Sequence, residues 1–88
     1  MAKVKVSKVP DGDTFITQDG TIVRLANVNA PEKGCRGAPQ ARSDLRKLIS
    51  RKQVNVQTVA RDPYGRVVAN VNVGNKSVNK AMRNKGWK

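Results

Sequence analysis

A mainly-β fold with two helices (α+β) is the class this sequence predicts, and three observations predict it. Valine and other β-branched residues alternate with polar ones in several short runs. Turn signals separate those runs at short intervals, at Asp11-Gly12, Asp19-Gly20 and Asp62-Pro63-Tyr64-Gly65. Only the stretch 38–49 and a shorter one after Ser77 change from strand spacing to helical spacing.

Taken in order, Val4 and Val6 alternate with Lys3, Lys5 and Ser7 as a half-buried strand. Pro10-Asp11-Gly12 should end it in a tight turn, with Pro fixing φ and Gly supplying freedom. Thr14–Thr17 reads as a second strand, and Asp19-Gly20 as the hairpin into a third beginning at Thr21. Pro31 holds Ala30 extended, so the third strand is expected to stop near Asn29 and give way to a loop from Glu32 to Gly37. Ala38, Ala41, Leu45, Leu48 and Ile49 then share one helical face, with Pro39 tolerated in the first turn and Arg42, Arg46 and Lys47 on the other side. Val54 to Val59 or Ala60 is a fourth strand, closed by a type I turn at Asp62-Pro63-Tyr64-Gly65. Val67, Ala69, Val71 and Val73 alternate over a fifth. Ser77 caps a short last helix with Val78, Ala81 and Met82 inward, and Gly86 stops it so that Trp87 can fold back. Five strands, a helix between the third and fourth, and a short C-terminal helix make up a five-stranded Greek-key barrel, the OB-fold. An SH3-like barrel has no place for the middle helix.

At 88 residues one domain spanning 1–88 is expected, with a small valine-rich core, since 38% of residues are apolar and only Phe15, Tyr64 and Trp87 are aromatic. No apolar run approaches the roughly 18 residues of a membrane helix. Lysines interrupt Val4, Val6 and Val9, so no signal-peptide pattern follows Met1, and a cytoplasmic protein or a trimmed secreted domain is expected. Cys35 is the only cysteine and there is no histidine, which removes disulfides, zinc clusters and imidazole-based triads. Any catalysis here must use carboxylates, arginines, water and a hard, oxygen-liganded cation. Eighteen Lys+Arg against six Asp+Glu give +12, a self-repulsion that a polyanionic partner would relieve. Nucleic acid, DNA or RNA, is the first candidate, and a monomer with no membrane association is expected.

The stretch Arg24-Leu25-Ala26-Asn27-Val28-Asn29-Ala30-Pro31-Glu32 carries an arginine at one end and the only glutamate at the other. Asp13, Arg24, Glu32 and Arg66 each have an ordinary structural explanation when taken singly, as turn, strand or loop residues. The set is more specific. Asp11-Gly12-Asp13-Thr14, then Arg24-Leu25, then Asn29-Ala30-Pro31-Glu32, then Asp62-Pro63-Tyr64-Gly65-Arg66 resemble, in order and spacing, the staphylococcal nuclease-like family. Val73 to Ala81 is similar to that family's last strand and the helix after it.

The resemblance implies an OB barrel and a metal-dependent phosphodiesterase acting on DNA or RNA with little sequence preference. It implies that Asp13 is a carboxylate ligand of a divalent cation, calcium first and magnesium second, with Asn29 and the Ala30 backbone carbonyl beside it. Asp11 would stand behind the metal. Glu32 would orient or deprotonate the attacking water, Arg24 and Arg66 would clamp the scissile phosphate, and Tyr64 would lie near the bound nucleotide. The chemistry suits these residue types, because a guanidinium donates paired hydrogen bonds to a phosphate as its charge grows. The sequence departs from the family at Asn29, where an aspartate is the pattern. The loss of one negative ligand weakens a hard cation's site. The family's chains also generally continue through a further helix and a base-binding loop beyond the point matching Lys88. The alternative expectation is the same barrel as a weak or inactive module that binds nucleic acid electrostatically.

Overall fold

The computed structural model describes residues 2–88. The order among them is β1 (Ala2–Asp11), β2 (Thr14–Thr17), β3 (Ile22–Leu25), α1 (Ala38–Ile49), β4 (Gln53–Arg61), β5 (Val67–Val73), β6 (Lys76–Ser77) and α2 (Val78–Asn84). The class is the expected one.

The sheet closes through β1, which is long enough to serve two neighbours. Its first half pairs antiparallel with β4, from Ala2 against Val56 to Lys5 against Gln53. Its second half pairs with β2, from Val6 against Thr17 to Asp11 against Thr14. β2 pairs with β3, β3 lies parallel to β5, and β5 returns to β4. The ladders therefore form a ring, β1-β2-β3-β5-β4, as in an OB barrel.

Four local expectations need correction. β1 runs through Pro10 to Asp11, and the turn is Gly12-Asp13. Proline is tolerated there because the β1–β2 register slips between Lys8 and Asp11, where no ladder N–H is required. β3 stops at Leu25, four residues before Asn29, because Asn27 turns the chain with φ 59°. Asparagine is among the few residues that enter this left-handed region readily. A sixth strand of two residues, Lys76–Ser77, folds back on β5 after the Gly74 turn. Lastly, Asn79, not Ala81, joins Val78 and Met82 on the buried face of α2.

The barrel interior holds Phe15, Val23, Leu25, Val54, Ala69 and Val71, and Leu45 and Ile49 of α1 with Met82 of α2 cover it. Phe15, Leu25, Leu45, Ile49 and Met82 are fully buried, each worth about 1.5–3 kcal/mol of burial. Asn79 is the polar exception. Its Oδ1 accepts from Val71 N at 2.8 Å, and its Nδ2 donates to Ala26 O at 2.9 Å and Ala69 O at 3.1 Å. One side chain thus ties the end of β3, the middle of β5 and α2. The chain after α2 closes as expected: Gly86 N bonds to Arg83 O and Trp87 N to Met82 O. Trp87 folds back against the core, and its indole N–H donates to Asp44 Oδ2 of α1 at 2.9 Å.

Candidate active site

Strand register gathers the polar residues at one end of the barrel. Asp11 is opposite Thr14, and Thr14 is opposite Arg24. The parallel β3–β5 ladder sets Val23 against Val67 and Arg24 against Val68, and Arg66 immediately precedes β5. The turn between β1 and β2 is pressed against α1. A Cβ on Gly12 would lie 2.5 Å from Ala41 Cβ and 2.9 Å from Ala30 Cβ, so only glycine fits. That close approach, and not a left-handed backbone, is what Gly12 supplies. It fixes Asp11 and Asp13 relative to the Asn29–Glu32 segment.

The result is a cleft of about 490 Å³ lined by Asp11, Asp13, Arg24, Asn29, Ala30, Glu32, Lys33 and Arg66. Every candidate from the sequence lines it except Tyr64, which stands 84% exposed on the Asp62–Gly65 turn. Tyr64 touches the site indirectly, with its ring centroid 5.8 Å from Arg66 Cζ, at cation–π range. Lys33 is the lining residue that the sequence reading missed. Its only signal is that it follows Glu32 in a loop.

Arg24 organises the inner wall. Its Nη1 donates to Leu25 O at 3.0 Å, and its Nη2 donates to Asn29 Oδ1 at 3.0 Å and stands 3.5 Å from Asp13 Oδ2. Asp13 is held further by Thr14 Oγ1 at 3.0 Å and by Ala30 N at 3.4 Å, while its own backbone carbonyl accepts from Leu25 N at 2.8 Å. A guanidinium has five N–H donors, so Arg24 retains some for a ligand.

Arg66 is anchored from the other side. Its Nε donates to Asp62 Oδ2 at 2.5 Å, and Asp62 Oδ1 accepts from the backbone N of Tyr64 and of Arg66. Burial pushes the Asp62 carboxyl up, but these hydrogen bonds and the guanidinium charge outweigh it and hold it below its ordinary value. Asp62 therefore stays ionised at neutral pH and points the Nη edge of Arg66 away from itself. Glu32 contrasts with both arginines. It is exposed, and among the described residues its carboxylate has no hydrogen-bond partner and no ion pair. A free carboxylate beside two anchored guanidinium groups is suited to accept a proton from water next to a bound phosphate.

The cleft's side-chain oxygens are those of Asp11, Asp13, Asn29 and Glu32, and Arg24 already engages Asp13 and Asn29. Among the described residues no three His, Cys, Asp or Glu side chains converge on one point.

Comparison with known proteins identifies the family. A family model described as staphylococcal nuclease homologue matches residues 22–87. An Escherichia coli protein named as an uncharacterized endonuclease is 34% identical over 70 residues, covering 76% of this chain and 46% of the relative. A Haemophilus influenzae protein of the same description is 31% identical over 86 residues, covering 93% of this chain and 48% of the relative. A Shigella flexneri micrococcal nuclease is 36% identical over 67 residues, covering 73% and 38% respectively. The chain thus spans less than half the length of each of these relatives. With the matched segment running from β3 to Trp87, this chain belongs to the staphylococcal nuclease homologue family.

Proposed function

We propose that this domain is a nuclease that hydrolyses phosphodiester bonds of DNA or RNA with little sequence preference, assisted by a divalent cation. One observation carries the reading: Arg24, Arg66, Glu32 and Asp13, from four separate segments, line a single cleft. The nuclease names of its relatives support it.

Two guanidinium groups bind the non-bridging oxygens of the scissile phosphate, using the donors left after Arg24 has bonded Leu25 and Asn29 and Arg66 has bonded Asp62. Their fixed positions are worth most as charge builds on those oxygens. Glu32 orients a water on the face opposite the leaving oxygen and takes one of its protons. The new bond forms between water oxygen and phosphorus, the bond from phosphorus to the leaving sugar oxygen breaks, and that oxygen leaves with a proton from solvent. Asp13, Asn29 and the Ala30 carbonyl would hold the cation, calcium or magnesium, and the cation would supply charge neutralisation at the phosphate. Tyr64 stands at the rim, where a nucleotide leaving the Arg66 side would meet its ring.

The test is digestion of plasmid and of single-stranded DNA and RNA with calcium, magnesium or chelator, by the chain and by Glu32→Gln. The substitution should lower kcat by about 10²–10⁴-fold with unchanged affinity for nucleic acid. Undiminished cleavage by Glu32→Gln would remove Glu32 from the mechanism. No cleavage by the unaltered chain in either metal would leave the electrostatic binding module as the reading.

A further inference from the structure

The active cleft does not account for the charge of the protein. It is lined by three carboxylates and three cations, in a chain of net +12. A second groove has no such balance. The segment of β1 from Val6 to Pro10 forms one wall and the outer face of α1 the other, enclosing about 420 Å³. Lys8, Arg42, Arg46 and Arg51 line it, without a carboxylate. Among the described residues the two ion pairs are Arg24–Asp13 and Arg66–Asp62, both outside this groove.

The groove adjoins the active cleft. A smaller cleft of about 340 Å³ shares Pro10 and Arg42 with the groove, and Asp11 and Lys33 with the active cleft. Arg42 is fixed at the junction, with its Nε donating to Val9 O at 2.7 Å across the gap between α1 and β1. At the far end Arg51 has a left-handed backbone, φ 60°, just past the helix cap at Ser50. Helices that end this way usually place glycine there, because a side chain is strained in that region. The sequence puts a cation at this position in spite of the strain. No aromatic side chain lines the groove, so it offers charge to a backbone and no stacking surface to a base.

We propose that this groove binds the flanking phosphates of a nucleic-acid strand whose scissile phosphate lies between Arg24 and Arg66, the strand passing Lys33 and Arg42 on the way. The inference rests on the nuclease reading for the placement of the scissile phosphate, and the groove itself can be tested without cleavage. An OB-fold commonly occupies about 4–16 nucleotides, so a strand that extends past one cleft is in the ordinary range.

The experiment measures binding of fluorescein-labelled single-stranded oligodeoxynucleotides of about 3 and about 12 nucleotides over a salt series, in the Glu32→Gln background. Removing two phosphate contacts with Arg46→Gln/Arg51→Gln should make the slope of log K against log salt shallower by about 1.4 for the longer strand, at about 0.7 per contact. Low-salt affinity should fall about tenfold, with the short strand unaffected. Lys80→Gln/Lys85→Gln removes the same charge from a different cleft and should leave the slope in place. Arg51→Gly, which relieves the backbone, should show about half the slope change in a protein at least as stable. The proposal is overturned if both double variants change the slope equally, if neither does, or if the short strand loses as much as the long one. No slope change, together with cleavage by the chain that keeps Glu32, would remove the groove and keep the nuclease. A slope change, together with no cleavage by the chain that keeps Glu32, would keep the groove and remove the nuclease.

Discussion

Arg24 donates from Nη2 to the side-chain carbonyl of Asn29 at 3.0 Å, and the same nitrogen stands 3.5 Å from Asp13 Oδ2. A cationic group therefore already bridges the two side chains proposed to hold a metal ion. With asparagine at position 29 that bridge is a neutral-acceptor hydrogen bond. With aspartate it would be charge-assisted and roughly twice as strong.

Against that stronger bridge to Arg24, Asn29→Asp should still raise affinity for calcium, because a hard cation gains an anionic ligand. The calcium concentration giving half-maximal cleavage should fall by about tenfold, and added calcium should raise the melting temperature more than it does for the unaltered chain. Identical calcium titrations for the two proteins would show that position 29 is not a ligand.

Asn79→Ala should be the costliest single polar substitution in the fold. It strands Val71 N–H and the Ala26 carbonyl in the interior, where each unpaired group costs about 1–3 kcal/mol, while the Ala69 carbonyl keeps its bond from Ala26 N. Urea unfolding should show a loss of about 2 kcal/mol or more. A loss below about 1 kcal/mol would mean that water replaces the side chain.

Gly12→Ala places a Cβ 2.5 Å from Ala41 Cβ and 2.8 Å from the Ala41 carbonyl carbon. Backbone has to move, at a cost of about 1–3 kcal/mol. Since Asp11 and Asp13 flank the turn, cleavage should fall even at temperatures where the variant is fully folded. Adding Ala41→Gly should recover part of the stability.

Acid should release the Trp87–Asp44 contact. The indole N–H bonded to the Asp44 carboxylate holds its pKa below the ordinary 3.8, against burial pushing up and with help from Gln40, Lys85 and Lys47. A carboxyl whose folded pKa is depressed stabilises the fold above its unfolded value, and that contribution fades as pH falls through the folded value. The emission of Trp87, the only tryptophan, should shift with a midpoint below pH 3.8, and Asp44→Asn should flatten that limb. An unchanged acid limb in Asp44→Asn would assign the transition to another carboxyl.

Much of the fold is legible because it depends on local preferences. The face Ala38, Ala41, Leu45 and Ile49 marks a helix, and Ser77 caps the second one by accepting from Lys80 N. The Asp62 turn also forms as its residue types demand, with Gly65 N bonded to Asp62 O. The site candidates came from motif order, and the cleft gathers all but Tyr64. Lys33 was missed because nothing in a loop lysine's neighbours in sequence reveals which cleft it lines.

By itself the sequence determined the class, most element boundaries, the charge and the set of residues available for phosphate chemistry, since period, turn chemistry and composition act over a few residues. Only the tertiary structure decided which long-range partners meet. Asn79 bonds Ala26 across 53 positions, Arg42 reaches Val9 across 33, and Arg24 and Arg66 come to line one cleft. Those contacts depend on how the barrel closes, and closure is settled by the summed packing of its strands and helices, which no local stretch encodes.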